Sequence, residues 1–252
     1  MHRIKKAGFI KEVHMNETAK DGTVQKARYE ARKEFENARR SRFVKQAVSG
    51  TVFIGLVSAG WFYSLIGYFI PLCMVAGVGL ASVRGRKWCN WMCPRGAFAD
   101  TYMKAISPGR TIPRALRQAP VRVGVIIFLM AMLTYQIIRL WPDHYAIGKF
   151  FVILLTITTI VGIFLSVFIH QRAWCSICPI GSLSSWAGAN RYQLKMDHDS
   201  CISCGLCAKN CPMQLRPNDM KEGAAMEFKG DCLKCGLCVK GCPKQALRLG
   251  GE

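Results

Sequence analysis

Uncharged, apolar stretches alternate with polar, basic stretches along the chain. Residues 46–83 contain no charged side chain over 38 positions. One helix of that length would be about 57 Å long, whereas the hydrocarbon core of a bilayer is about 30 Å thick. The stretch therefore predicts two membrane spans joined by a tight turn near residues 63–68. Two further apolar stretches, 121–140 and 148–170, predict a third and a fourth span.

Basic residues are distributed unevenly around these predicted spans. Residues 1–45 carry 13 Lys and Arg and residues 84–122 carry nine, whereas the turn at 63–68 carries none. Because cytoplasmic loops are enriched in Lys and Arg, we expect both termini and the 84–122 loop in the cytoplasm. The protein would then be a multi-pass protein of a prokaryotic cytoplasmic (inner) membrane. This topology largely explains the formal charge of +20, so we expect no nucleic-acid partner.

Thirteen cysteines distinguish the chain from a typical cytosolic protein, and twelve of them stand in closely spaced groups. Residues 1–45 contain no apolar core of a signal peptide. We therefore expect a reducing compartment, in which grouped cysteines bind metal rather than form disulfides. The remaining cysteine, Cys73, lies inside the predicted second span and has no partner in the sequence.

The carboxy-terminal region carries the ferredoxin pattern C-x2-C-x2-C-x3-C-P twice. In two-cluster ferredoxins the fourth cysteine of each run ligates the cluster of the other run. The pattern therefore predicts two [4Fe–4S] clusters with crossed ligands. The first is assigned to Cys201, Cys204, Cys207 and Cys242, and the second to Cys232, Cys235, Cys238 and Cys211.

A second cysteine pattern, W-C-x2/3-C-P-x-G, follows the second and fourth predicted spans, and its two copies are 86 residues apart. Both copies face the same side of the membrane, which indicates two repeated hairpins related by an axis along the membrane normal. Their cysteines are Cys89, Cys93, Cys175 and Cys178. We expect a third [4Fe–4S] cluster there, because four thiolates complete a cubane. A thiol–disulfide pair, a copper or other metal site, and merely structural thiols are alternatives that the spacing leaves open.

Two polar side chains stand five residues before the first cysteine of each membrane motif. They are Arg84 in the first motif and His170 in the second. A protonatable group at the inner membrane surface could bind a quinol headgroup and take its proton. His170 is therefore the candidate proton acceptor, and Arg84 is its candidate charge partner.

These patterns predict a membrane α-helical fold with four transmembrane helices in two repeated hairpins, followed by an α+β two-cluster ferredoxin domain. Three regions follow along the chain. Residues 1–45 would form a basic cytoplasmic arm, with a helix over 22–43. The other regions are a four-span membrane domain over 46–195, with Cys-pair loops at 84–120 and 171–195, and the ferredoxin domain over 196–252.

The combination of motifs over residues 44–248 resembles the NapH-type membrane polyferredoxins. That family is the quinol-dehydrogenase component of periplasmic nitrate reductase systems. The membrane halves of NosR, the nitrous-oxide-reductase regulator, and of CcoG, a cytochrome-oxidase assembly protein, look related. The resemblance implies electron transfer between a membrane quinol and a partner protein, with quinone or quinol as the substrate.

No paired acid–base groups, activated nucleophile or nucleotide-binding loop is evident in the sequence. We therefore expect an electron-transfer subunit of a quinol dehydrogenase or oxidoreductase complex. Its partners would be membrane lipid and other redox subunits, such as a cytochrome or an iron–sulfur protein. Two other functions stay open. One is a membrane reductase of copper or another metal that helps to assemble a metalloenzyme, and the other is a membrane anchor for a soluble oxidoreductase.

Overall fold

The computed structural model describes residues 2–222, 226 and 228–250, and for residues 2–28 and 31 it describes only the backbone. Within these residues the chain forms nine α-helices and one small sheet. The helices are α1 His2–Phe62, α2 Phe69–Arg84, α3 Pro94–Thr101, α4 Ala119–Leu140, α5 His144–Phe168, α6 Ala173–Ile177, α7 Pro179–Ala187, α8 Leu206–Lys209 and α9 Leu237–Lys240. The strands are β1 Leu194–Met196 and β2 Leu247–Leu249.

Four helical segments are long and apolar enough to cross a membrane, as the hydrophobic pattern predicts. The second of them joins α2 with the short helical turns on either side of it. The four segments cover residues 32–62, 64–92, 119–140 and 144–168. Many of their large apolar side chains are exposed, for example Phe128, Ile138, Ile160 and Phe164. A helix surface of this kind suits contact with lipid.

The first turn between spans lies where the sequence predicts it. Helix α1 ends at Phe62, a short 3-10 turn covers Ser64–Tyr68, and α2 begins at Phe69. Pro71 is the third residue of α2, where a missing N–H removes no helical hydrogen bond. At the second turn Asp143 caps α5, because its Oδ1 accepts from the backbone N–H groups of Tyr145 and Ala146.

Two element boundaries differ from the sequence-based expectation. Helix α1 continues without a break through residue 45, so the basic segment and the first span are one helix rather than an arm followed by a span. The fourth span begins at His144 and ends at Phe168, earlier than the predicted 148–170. His170 therefore lies just beyond the last span, at its cytoplasmic end in the predicted topology.

The carboxy-terminal region is a ferredoxin-like unit closed by the antiparallel pair β1–β2. Leu194 pairs with Leu249 and Met196 with Leu247. The two strands bring together the chain before the first cysteine run and the chain after the second. Helices α8 and α9 begin after Gly205 and Gly236, which both have positive φ. This left-handed backbone costs glycine least, and it recurs 31 residues apart in the two runs.

Candidate iron–sulfur centres

The two membrane cysteine pairs, far apart in sequence, line one cavity at the end of the spans. In each motif a short helical turn leads to the second cysteine, and a proline then starts the next helix. Pro94 begins α3 after Cys93, and Pro179 begins α7 after Cys178. Five thiols lie on the cavity wall: those of the two pairs, Cys89, Cys93, Cys175 and Cys178, and that of Cys73 in α2.

The two motifs exchange hydrogen bonds through a pair of arginines. Each arginine stands three residues before the first cysteine of its own motif and donates to the backbone carbonyl of the first cysteine of the other. Nη2 of Arg86 lies 2.6 Å from the carbonyl oxygen of Cys175, and Nη1 of Arg172 lies 2.9 Å from that of Cys89. The two motifs therefore share the same local arrangement. The repeat of whole hairpins stays a prediction.

A buried carboxylate holds each of these guanidinium groups in place. Asp100 of α3 accepts from Arg172 at 2.7 Å and 2.6 Å, and also from Arg42 and Gln46 of α1. Burial alone would raise the pKa of Asp100, but the charge and hydrogen bonds of Arg172 outweigh it and hold the pKa below its usual value. Asp100 is therefore a carboxylate at neutral pH.

Asp231, the residue before Cys232, holds the other arginine. Its Oδ1 accepts from Nη1 of Arg86 at 2.8 Å, and its carboxylate also accepts from Arg122 at the start of α4 and from Ser185 of α7. The Asp231 side chain is only 1% exposed. One carboxylate thus joins the second ferredoxin run to three separate parts of the membrane region.

Two glycines leave room for these arginines. Both lie three residues after the second cysteine of their motif. A Cβ added at Gly96 would lie 2.9 Å from Nη1 of Arg172, and one added at Gly181 would lie 2.6 Å from Nη2 of Arg86. A guanidinium group thus occupies the space that a side chain would need at these positions. This explains the final glycine of the motif W-C-x2/3-C-P-x-G.

The two sets of cysteines assigned to the ferredoxin clusters each line a separate small cavity. Cys211, Cys232, Cys235 and Cys238 surround one, and Cys201, Cys204, Cys207 and Cys242 surround the other. The structure thus brings the fourth cysteine of each run to the other run. Positive φ recurs at matching positions, Ser203 with Lys234 and Gln214 with Gln245, so the two runs share one backbone conformation.

One ferredoxin cavity lies next to the membrane cavity. Cys89 belongs to a buried cluster with Met213, Leu215 and Leu233, against which Cys175, Cys211, Cys232 and Cys235 also pack. Cys207 and Cys238 pack in a second cluster with Leu194 and Leu247. In space, the set that contains Cys232 therefore lies next to the membrane cavity, and the set that contains Cys201 lies beyond it.

The donor chemistry at the three cavities fits [4Fe–4S] clusters. All 13 cysteines carry free thiols, so none is used in a disulfide. Among the described residues, no three His, Cys, Asp or Glu side chains are close enough to share a single metal ion. A cubane binds each of its four thiolates at a different iron, so it needs wider spacing than a mononuclear copper or zinc site. Each of the three cavities is lined by a set of four such cysteines.

The structure does not bring the two candidate quinol residues together in the membrane cavity. Arg84 is exposed at the end of α2, and neither Arg84 nor His170 lines the cavity. The His170 side chain is buried, and its Nδ1 accepts from the backbone N–H of Arg172. Burial lowers the pKa of His170 to about 4, so the imidazole is neutral at pH 7. It lines a large polar cleft shared with Asp100, and its quinol role stays a prediction.

Two arginine–aspartate pairs beside the membrane cysteines are not indicated by the cysteine motifs. These are Arg86 with Asp231 and Arg172 with Asp100. The shared position of the arginines, three residues before a cysteine, is visible in the sequence as R-x2-C-x2/3-C-P-x-G. No sequence motif marks Asp100 and Asp231, because only the tertiary fold brings them to the arginines.

Comparisons with known families agree with this arrangement of cysteines. A 4Fe-4S binding domain family matches residues 66–113 and 150–192, and each segment contains one membrane cysteine pair. A 4Fe-4S dicluster domain family matches residues 200–247, which contain both ferredoxin runs. No solved structure matches the chain.

Three relatives show similarity over most of the chain. An uncharacterized protein of Methanocaldococcus jannaschii is 25% identical over 69% of this chain and 75% of its own length. YccM of Escherichia coli, named for electron transport, is 25% identical over 67% of this chain and 55% of its own length. MauN of Paracoccus denitrificans, a methylamine utilization ferredoxin-type protein, is 27% identical over 76% of this chain and 65% of its own length.

These findings define the class of protein. The chain is an iron–sulfur electron-transfer protein with 4Fe–4S binding domains and four helices able to span a membrane, and it is similar to proteins named for electron transport or as ferredoxin-type.

Proposed function

We propose that the protein is a membrane-bound iron–sulfur subunit that moves electrons between the quinone pool and a partner oxidoreductase. One observation carries the proposal. A single cavity is lined both by the four cysteines of the membrane motifs and by apolar side chains of the spans, such as Phe53 and Leu133. A membrane-soluble redox compound would thereby reach a thiolate-ligated centre without leaving the apolar phase.

Three sets of four cysteines would hold three [4Fe–4S] clusters. When bound, such clusters supply one-electron transfer, so they would take the two electrons of a quinol singly. The packing of Cys211, Cys232 and Cys235 against Cys89 supports an order in which the Cys232 set lies between the membrane set and the Cys201 set. Electrons would leave a quinol at the membrane set and reach the Cys201 set last, or take the reverse route to reduce a quinone.

The surface around Cys204 is where we expect the partner to dock. The Cys204 side chain is exposed, and its neighbours Ile202 and Leu206 are 56% and 41% exposed. An exposed ligand thiol flanked by apolar side chains gives a partner close access to the last centre. The name of the relative MauN, a ferredoxin-type protein, supports a redox partner of this kind, such as a cytochrome or another iron–sulfur protein.

Oxidation of a quinol also releases two protons, which must reach water. Arg172 lines the apolar cavity, and its partner Asp100 lines the large polar cleft on the other side. His170 lies on the same cleft as a neutral base. We propose that protons leave through this cleft with His170 as a relay, and that Arg84 contributes only positive charge at the membrane surface.

The proposed location is a prokaryotic cytoplasmic membrane, with both termini and all three cysteine sets on the cytoplasmic side. The distribution of Lys and Arg supports this orientation. A reporter fused after residue 252 should behave as cytoplasmic. A periplasmic reporter would contradict the proposed topology.

The experiment that tests the function is quinol-dependent reduction of anaerobically purified protein. Menadiol should bleach the visible absorption of the oxidised clusters, and dithionite should define complete reduction. Protein that responds to dithionite but not to menadiol, menaquinol or ubiquinol would contradict exchange with the quinone pool. Protein that contains no iron would instead favour a simple membrane anchor.

A further inference from the structure

Arg95 differs from the other two arginines on the membrane cavity. Arg86 and Arg172 each form an ion pair with a buried aspartate, but no described carboxylate pairs with Arg95. The Arg95 side chain donates from Nη1 to the hydroxyl of Thr158 at 3.2 Å and from Nη2 to the Thr158 carbonyl. A guanidinium group has more N–H donors than these two acceptors satisfy.

Arg95 lines the same cavity as the membrane cysteines and also contacts a membrane span. Arg95 stands two residues after Cys93, and its acceptor Thr158 belongs to the span α5. The guanidinium carbon lies 4.4 Å from the ring centroid of Trp174, which is next to Cys175. A charged group near membrane depth is costly unless it has polar partners, so the remaining N–H groups favour an acceptor in the cavity.

The rest of the cavity restricts what that acceptor can be. Its wall includes Phe69, Met74, Leu129 and Leu154, contributed by α2, α4 and α5. Apart from three arginines and Thr158, the side chains of this wall are largely apolar, so the cavity disfavours a ligand with a large charged headgroup. It suits a flat neutral ring with a carbonyl or hydroxyl oxygen and an apolar tail.

We propose that Arg95, Thr158 and Trp174 form the headgroup site for a quinone-type ligand. One ring oxygen accepts a hydrogen bond from Arg95, the ring lies beside Trp174, and the tail extends among the side chains of the spans. Thr158 positions the guanidinium group. This inference rests on the proposed function, since it names where the quinone binds, and it moves the headgroup from Arg84 and His170 to Arg95.

The test measures the equilibrium binding of menadione to the full-length, cluster-loaded protein in detergent by calorimetry. Binding does not require electron transfer, so it can fail independently of the proposed function. Arg95→Gln should weaken binding by about 10- to 100-fold, the range expected when a hydrogen bond from a charged group is lost. Thr158→Val should weaken it by about 2- to 10-fold. Arg139→Gln, in the exposed last turn of α4, is the matched control and should bind like the wild type.

Iron content and cluster potential distinguish two roles of Arg95. It could bind the quinone headgroup, or its positive charge could act only on the cluster. The Arg95→Gln protein should retain its iron and its reduction by dithionite. Loss of iron or a shifted potential with unchanged menadione affinity would overturn the inference, as would wild-type protein that does not bind menadione. If Arg95→Gln does not fold, Thr158→Val decides, and unchanged affinity in that variant overturns the site. Normal binding without reduction by menadiol would contradict the proposed function alone.

Discussion

The carboxylate of Asp231 lies 2.8 Å from the guanidinium Nη1 of Arg86, and both side chains are 1% exposed. Arg86 in turn donates to the carbonyl of Cys175, while Asp231 directly precedes Cys232. A chain of two hydrogen bonds and one peptide unit therefore connects a membrane cysteine with a ferredoxin cysteine. This buried ion pair holds the ferredoxin region against the membrane region. It thereby keeps the ferredoxin cysteines at a constant distance from the membrane cavity.

Asp231→Asn tests this attachment. The variant leaves Arg86 and Arg122 without their carboxylate, and removing one partner of a buried ion pair costs about 3–5 kcal/mol. We expect a lower unfolding midpoint and slower passage of electrons from the membrane set to the ferredoxin sets. Asp199→Asn, at an exposed position, is the control. An Asp231→Asn protein with wild-type stability and wild-type electron passage would show that the carboxylate does not hold the two regions together.

Gly181→Ala tests the packing of the arginines against the membrane motifs. The new Cβ would lie 2.6 Å from Nη2 of Arg86 and 2.8 Å from the carbonyl oxygen of Cys175. Because the second contact is with backbone, we expect the membrane site to distort and to lose iron while the ferredoxin sets retain theirs. Gly79→Ala is the matched control, since nothing lies within 4 Å of its added Cβ. Equal iron in both variants would contradict the packing argument.

Cys242→Ala tests the crossed ligands of the ferredoxin region. Cys242 lines the same cavity as Cys201, Cys204 and Cys207, so the variant should damage the cluster of the first run. Electron paramagnetic resonance of the reduced protein should show loss of that signal, with the cluster of the second run preserved. Cys211→Ala should give the opposite pattern. Loss of the second-run cluster in the Cys242 variant would reverse the ligand assignment.

The dependence of stability on pH tests the environment of His170. Burial lowers its pKa from 6.5 to about 4, so the folded protein resists protonation that the unfolded chain accepts. The neutral imidazole therefore contributes its full stability above about pH 6.5, and this contribution is lost as the pH falls towards about 4. His170→Asn should show a flatter decline of the unfolding midpoint over this range, whereas the exposed His144→Asn should follow the wild type. Parallel curves for wild type and His170→Asn would contradict the assigned environment.

The sequence predicts the parts of this protein that depend on short-range pattern. The four spans follow from uncharged stretches, and the ferredoxin cavities follow from the spacing of runs such as Cys201 to Cys211. Both depend on neighbouring residues and on general rules for membranes and clusters.

The parts that the sequence did not predict depend on contacts between distant residues. The repeat makes Arg84 and His170 equivalent and so points to them, but the residues that contact the opposite motif are Arg86 and Arg172. Asp231 lies 145 positions from Arg86, and no local pattern indicates that they meet. The composition also does not predict that α1 continues through residue 45, because a change from polar to apolar residues does not require a break in a helix.

The central claim is that the two membrane cysteine pairs hold a third cluster next to the ferredoxin pair. The most direct measurement is the iron content of anaerobically purified protein, compared with a variant in which Cys89, Cys93, Cys175 and Cys178 are all changed to Ser. With four irons per cubane, the wild type should contain about 12 irons per chain and the variant about 8, and Cys73→Ala should match the wild type. A wild type that contains only about 8 irons, equal to the quadruple variant, would contradict the third cluster.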